Sequence, residues 1–410
     1  MIKIDSKLIR VTVIAVACGF TLLSQAHAES PANHEKVLYS FTGGSDGAVP
    51  NSLIRDSQGN LYGTTTIGGN MTGNCGPTEG CGVVFELSAT GEFSVLHTFD
   101  WNDGTIPNGL VRDTSGNLYG STQGGDNSNC YNGCGVIFKV TTSGDFTPLY
   151  TFTGESDGNS PYALIIDAAG NLYGTAQNPN TGGEIFEVTA SGKFKVLYNN
   201  GNNPDSIIRD SKGNIYGTTF YGGTHSSGTV FKLNTSYKET VLYNFKGKGD
   251  GEFPVAIAMD KAGNLYGITE EGGYEKGKCD LPDSPVGCGT VFKINTSRKF
   301  SVLLAFNSAD GNDPNGLIVG PKGNLYGTSF LGGNSTTCSQ GNCGLIFKLA
   351  AGSYKDSTLY NFTGGADGDA PSGALIEDSD YNLYGTALYG GNQTCKGYPG
   401  CGVVFEISAN

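Results

Sequence analysis

The sequence predicts an all-β fold: a seven-bladed β-propeller with four antiparallel strands per blade, its ring closed by the N-terminal strand. Three observations lead there. A turn-and-strand phrase, Asp-x-x-Gly-Asn-Leu/Ile-Tyr-Gly, returns seven times: Asp56–Gly63, Asp113–Gly120, Asp167–Gly174, Asp210–Gly217, Asp260–Gly267, Gly320–Gly327 and Asp378–Gly385. The final glycines are 57, 54, 43, 50, 60 and 58 residues apart, the period of an array of supersecondary units rather than of separate domains. The two ends of the repeat region hold complementary fragments of one unit.

Residues 1–28 read as a signal peptide, with a basic start (Lys3, Lys7, Arg10), an apolar run Val11–Leu23 and a small-x-small site at Ala26-His27-Ala28. A linker over 29–35 and one propeller domain over 36–410 follow. Cleavage removes three cations and Asp5, moving the formal net charge from −13 to −15. So acidic a surface repels phosphate backbones and argues against nucleic-acid binding. The expected location is secreted or periplasmic. A lipid anchor at Cys18 is the rival, weakened because Ala15 stands where a larger aliphatic is usual. No later stretch is long and apolar enough to span a bilayer. Gly at 65 residues and charged residues at 15% fit a turn-dense β protein, and 21 Tyr with 21 Phe supply a core.

In the second repeat, strand A is expected at Gly109–Arg112, B at Asn117–Thr122, C at Gly135–Val140 and D at Asp145–Phe152. The tight turns Asp113–Gly116 and Thr141–Gly144 join A to B and C to D, making one antiparallel sheet. The repeat region opens on a D-type strand, Lys36–Phe41, and ends on a C-type strand, Val403–Ile407. The first therefore completes the last blade.

Beyond Cys18, ten cysteines form five close pairs, Cys75/Cys81, Cys130/Cys134, Cys279/Cys288, Cys338/Cys343 and Cys395/Cys401. Local pairs in an exported chain predict disulfides, each worth about 2 kcal/mol by loop-closure entropy. None has the C-x2-C spacing of a zinc site, so no metal and no cofactor is expected.

The Asp-x-x-Gly-Asn-hydrophobic-Tyr signature resembles the NHL-type propeller repeat. The fuller phrase, Leu-Tyr-x-Phe, Asp-Gly-x-x-Pro, Gly-Asn-Leu-Tyr-Gly-Thr, Gly-Gly and Gly-x-Val-Phe, resembles the tandem repeat of the bacterial GloVer-type family. The resemblance covers residues 36–410. It implies the propeller and export, and no activity. Some members carry a C-terminal surface anchor; none is expected before Asn410.

Function should sit on the face built from the B–C and D–A loops, which are long and variable where the A–B and C–D turns are short. The long B–C loops belong to blades 5, 6, 7, 1 and 2 and hold the cysteine pairs. They predict a stapled wall around most of the rim, with a low side at blades 3 and 4. Such an open groove suits an extended glycan or peptide; simple loss of loop length in blades 3 and 4 explains it equally. The Asp of Asp-Gly-x-x-Pro (Asp46, Asp103, Asp157, Asp250, Asp310, Asp367) reads as turn chemistry rather than a calcium site.

Departures from the repeat are the candidate binding residues. Trp101, Tyr389, Tyr221, Tyr274 and Tyr398 could be stacking platforms or loop packing. Arg55, Arg112 and Arg209 recur in strand A beside the channel, where an acidic ligand or a neighbouring Asp could meet them. Glu270 and Glu271 end strand B of blade 5 and could do acid/base work, although a solvated pair is the simpler reading. His34, His97 and His225 remain after cleavage; His97 reads as packing and His225 as the one to test. The functional expectation is a monomer that binds polysaccharide or an envelope or extracellular protein. The alternative is a polysaccharide lyase or glycoside hydrolase, disfavoured by scarce histidine; a purely structural or adhesive protein is the third class.

Overall fold

The computed structural model describes residues 35–76, 79–125, 129–130, 132–178, 181–199, 201–273, 287–307, 309–335, 338, 343–395 and 397–408. The leader over 1–28 with Cys18, residues 29–34 of the linker with His34, Tyr274 and Cys279 lie outside the described residues. Seven antiparallel sheets, each in the strand order A-B-C-D, form the blades of a propeller. Each inner strand touches the next, and the contact between strand A of blade 1 and strand B of blade 7 (Leu383–Tyr389) closes the ring. The N-terminal strand, Glu35–Ser40, pairs antiparallel with strand C of blade 7, Val403–Ile407, from Glu35↔Ile407 to Ser40↔Val403.

Strand A departs from expectation. It starts earlier: in blade 2 it comprises Thr105–Pro107 and Val111–Arg112, and in blade 5 it runs unbroken over Glu252–Met259. The Asp-Gly-x-x-Pro motif is thus half loop and half inner strand. Strands B, C and D of blade 2 occupy Leu118–Gly124, Val136–Val140 and Phe146–Thr151.

The residue types of the repeat each serve one joint. In the A–B turn, Asp56 Oδ1 accepts from the amides of Gln58 and Asn60, while Oδ2 accepts from Asn60 Nδ2 and the Tyr62 hydroxyl. This explains Asp-x-x-Gly-Asn-x-Tyr as an Asx turn that also anchors the buried phenol. The glycine after Tyr is steric: a Cβ on Gly217 would lie 2.6 Å from Cζ of Phe231 in strand C, and the other six blades repeat the approach. Those strand-C phenylalanines, with the strand-D phenylalanines Phe41, Phe99, Phe152, Phe245, Phe306 and Phe362, are the largest fully buried side chains.

Between blades, the proline of Asp-Gly-x-x-Pro packs on the glycine that opens strand C of the preceding blade, as Pro254 does on Gly228. The residue before each proline is held at positive φ (Val49, Ile106, Ser160, Asn203, Phe253, Asp313 and Ala370, +45° to +57°). That conformation is unfavourable for a side chain with a Cβ, and the surrounding joint imposes it. The amides of Val49, Ser160, Phe253 and Ala370 donate to carbonyls of the preceding blade at 3.0–3.1 Å. Because Gly228 is held at φ +95° and an added Cβ would run into Pro254 Cδ, Gly228→Ala is expected to cost about 2–4 kcal/mol. Gly249→Ala, with nothing within 4 Å, is the neutral control in a urea titration.

At the rim, the Asp of Asp-Gly-x-x-Pro takes the strand-D tyrosine: Tyr150 Oη donates to Asp157 Oδ2 at 2.8 Å. His97 fills the same role in blade 1, bonding Asp103 at 2.9 Å and stacking on Phe146 at 4.1 Å. It is a rim lock as well as packing.

Candidate functional site

The loop face carries the staples expected of it. Disulfides join Cys75–Cys81, Cys130–Cys134, Cys338–Cys343 and Cys395–Cys401. Cys288 is disulfide-bonded too, but its expected partner Cys279 lies outside the described residues. Three staples pack on a glycine of the D–A loop: a Cβ on Gly43, Gly154 or Gly364 would meet a sulfur of Cys395, Cys130 or Cys338. Among the described residues, the one grouping of possible metal ligands is Cys338, Cys343 and Asp369, and its two sulfurs are already joined. The staples fit an exported, oxidised chain, and no helix among the described residues is long and apolar enough to cross a membrane.

On the loop face, between the stapled blade 2 and the low blades 3 and 4, a cleft of about 250 Å3 opens. Two neighbouring side chains, one in blade 3 and one in blade 4, shape it. In three blades the residue after the motif proline is Asn, and its side-chain amide ties two blades together. Asn51, Asn108 and Asn315 donate through Nδ2 to the carbonyls of Pro107, Pro161 and Pro371 at 2.6, 2.8 and 3.2 Å. Blades 3 and 4 have Tyr162 and Asp205 there, neither of which makes a side-chain hydrogen bond among the described residues. Tyr162 is 53% exposed. Both line the cleft with Gln123, Gln177, Asn203 and Phe220.

Rigid elements hold these groups. The amide of Tyr162 donates to the Thr175 carbonyl at 2.8 Å, and Asn159 and Gln177 exchange backbone bonds of 2.7 and 2.9 Å. Gln123 Nε2 donates to Asn108 Oδ1 at 2.9 Å. Phe220 stacks on Phe253 at 4.7 Å, and Tyr221 sets its edge against both rings. Burial, reinforced by the charge of Glu270, pushes the Asp205 carboxyl up to about 7. Glu270 also rises to about 7, through burial and then the charges of Asp313 and Glu271. The cleft is therefore a polar, aromatic-edged recess beside acids that change charge near neutrality.

Behind the cleft wall lies Glu184, fully buried where other blades have Val, Thr or Leu. Its Oε2 accepts from Asn178 Nδ2 at 3.3 Å and its Oε1 has no partner. Burial, offset in part by that bond and reinforced by Asp157, raises it from 4.5 to about 7. Folding thus favours its protonated form. The stability this provides is complete below about pH 4.5 and is lost as pH rises through about 7. Glu184→Gln is expected to recover up to about 3 kcal/mol at pH 8 and little at pH 4.5, read as urea midpoints.

The sequence-derived candidates do not converge on one site. Trp101 is partly buried against the cluster that holds Cys75 and Cys81, so packing describes it. Tyr389 is half-buried beside Tyr398, rings 6.2 Å apart, against the Cys395–Cys401 region. Tyr221 is exposed near the cleft. His225 is exposed, its Nδ1 against the Thr224 hydroxyl at 2.9 Å, and does not line the cleft. Glu270 and Glu271 are a correction: they end strand B of blade 5 half-buried rather than as a solvated loop pair. Glu271 stands opposite Glu252 in the register.

Of the two alternatives for Arg55, Arg112 and Arg209, the neighbouring Asp is the one met, at Arg55 and Arg209. All three end strand A at the short-turn face, away from the loop face. Each guanidinium lies over the Tyr-Gly tyrosine of the preceding blade: Arg55 on Tyr384 at 5.2 Å, Arg112 on Tyr62 at 5.8 Å, Arg209 on Tyr173 at 4.9 Å. Arg55 and Arg209 also reach Asp378 and Asp167 at 3.9 and 3.6 Å. The residues missed were Tyr162, Asp205, Gln123 and Gln177. Lining up the residue after each motif proline marks the first two, together with Val255 and Ser372.

The fold is a closed seven-bladed propeller with an open cleft on its loop face. The chain belongs to the Gloeobacter/Verrucomicrobia repeat family, whose model matches residues 70–279 and 282–410. It is similar to virginiamycin B lyase from Staphylococcus aureus, at 15% identity and TM-score 0.61, over 92% of this chain and 100% of that one. It is also similar to the extracellular domain of a hybrid two-component system from B. thetaiotaomicron, at 13% identity and TM-score 0.57, over 92% of this chain and 41% of that one. A search of curated proteins found no match. At these identities the likenesses establish the fold alone.

Proposed function

We propose that the chain, exported through its first 28 residues, is a propeller that binds polysaccharide in the cleft at blades 2, 3 and 4. The observation that carries this reading is that two adjacent blades, 3 and 4, present Tyr162 and Asp205 to the cleft at the position where Asn51, Asn108 and Asn315 tie blades together, while blades 5 and 7 have the small Val255 and Ser372 there. A sugar ring offers an apolar C–H face and a rim of hydroxyls. The aromatic surfaces of Tyr162 and Phe220 suit the first, and the amides of Gln123, Gln177 and Asn203 with the Asp205 carboxyl suit the second. The wall leaves this side open, so a long chain can pass through.

The test is to incubate the oxidised protein with a panel of polysaccharides, reading binding and product masses together. Binding without shortening is expected, weakened about ten-fold by Tyr162→Ala. Product of lower mass would replace this reading with a polysaccharide-degrading enzyme. That second reading has one observation in its favour: Asp205, with its carboxyl near 7, can exchange a proton at neutral pH beside the Tyr162 phenol. Failure of the whole panel to bind would end both.

A further inference from the structure

On the opposite, short-turn face, a groove of about 740 Å3 runs between blades 4 and 5. Two joints of this face are filled by an aromatic ring from a C–D turn, and this one is not. In blade 4 the C–D turn places Tyr237 so that Lys195 of blade 3 lies 5.2 Å over its ring. In blade 6 the same turn places Tyr354 against Lys293 and Tyr266 of blade 5, with Lys293 Nζ donating to Tyr354 Oη at 2.8 Å. Both tyrosines sit at positive φ, +58° and +51°. The corresponding residue of blade 5 is Arg298, at φ +63°, so no aromatic ring plugs the joint over blade 4. Met259 likewise stands where Arg55, Arg112 and Arg209 cover the neighbouring tyrosine.

The unplugged groove is strongly cationic in a chain of formal net charge −13. Arg209, Lys212, Lys232, Lys261 and Arg298 line it. Arg209 is paired with Asp167; the other four make no ion pair among the described residues. The two carboxylates present are committed to their own turns. Asp210 accepts from Lys212 N, Asn214 N, Asn214 Nδ2 and Tyr216 Oη. Asp260 accepts the equivalent four bonds. The floor is aliphatic, made by Leu242, Met259, Leu265 and Ile294. The nearest aromatic face, Tyr216, is covered by Lys232 at 5.2 Å.

We infer that this groove docks an acidic peptide segment of a partner protein. Carboxylates of the segment meet Lys212, Lys261 and Arg298, and one aliphatic side chain rests on Met259 and its neighbours. Charge complementarity selects an anion. An aliphatic floor without an open aromatic platform selects a peptide side chain over a sugar ring.

A fluorescein-labelled octapeptide of Asp and Glu around a single Leu, titrated with the oxidised protein, reads this by anisotropy. Arg298→Tyr restores the residue type of blades 4 and 6 and fills the groove; Lys261→Glu reverses one charge. Each is expected to weaken binding about ten-fold with the melting temperature unchanged, as is a rise from about 50 to about 500 mM salt. Undiminished binding in both variants, or equal binding of the peptide with Lys in place of its acids, would overturn the inference. Stronger binding by a uronate oligosaccharide than by the peptide would also overturn it, assigning the groove to an acidic glycan.

Discussion

Removing Lys36–Phe41 is expected to leave a chain that does not persist as a folded monomer. Strand C of blade 7 would lose its pairing partner from Glu406 to Val403, exposing an edge whose Val403, Val404 and Phe405 are fully buried in the intact ring. Phe41 itself, also fully buried, would be gone, with the Tyr39 hydroxyl bond to Asp46 and the stack of Tyr39 on Phe93 at 4.0 Å. Large buried side chains are worth about 1.5–3 kcal/mol each, and an open apolar edge is a template for association. The combined loss approaches the whole stability of an ordinary domain, about 5–15 kcal/mol. Size-exclusion chromatography and thermal melting read the result, and a synthetic peptide spanning Glu35–Phe41 should restore part of the melt. A monomer that melts with the parent would sink the closure model.

Asp378→Ala is the point substitution with the largest expected cost, about 3–4 kcal/mol. The carboxylate accepts from the amides of Asp380 and Asn382, from Asn382 Nδ2 and from the buried Tyr384 hydroxyl. It also faces Arg55 at 3.9 Å. Burial alone would raise its pKa; the bonds from Asn382 and Tyr384 prevail and hold it below the ordinary 3.8. Its contribution is therefore present above that pH and lost on acidification through the lowered value. Asp113→Ala should cost less, because blade 3 offers Ile166 where blade 1 offers Arg55. Equal losses below about 1 kcal/mol in both, by urea titration, would show the turn to be dispensable.

Blade 6 bears on this turn. Gly320 stands where the Asp should be, and a Cβ there would meet Glu377 Oε2 of the next blade at 2.1 Å. Glu377 occupies the strand-A end that Arg55 and Arg209 fill elsewhere. A carboxylate has thus moved from the turn to its neighbour, and only the fold makes the two changes one.

The ring, its closure and the staples were legible because each joint is reused in every blade, so the sequence repeats its own evidence. The start of strand A was not legible. A proline after a residue at positive φ carries every local sign of a loop, and only the facing Gly228-type glycine shows that it is inner strand. Arg55, Arg112 and Arg209 were read by their strand and not by which end of it they occupy. The cleft was not legible at Tyr162 and Asp205, because the position after the proline varies in four blades and only the fold brings these two side chains to one recess.

The strained residue ahead of that proline has a consequence for how such a protein diversifies. Val49, Ile106, Ser160, Asn203, Phe253, Asp313 and Ala370 share one backbone conformation yet have almost nothing chemically in common. The glycine and proline on either side of the joint impose the conformation, whichever side chain stands between them. Where such a side chain faces the cleft, as at Ser160 and Asn203, it can therefore be rewritten without disturbing the joint, whereas Val49 and Ala370 are held in the core. A lineage holding this frame has a ready-made array for sampling new ligands, in the way an antibody samples them with its loops but on a rigid inner strand.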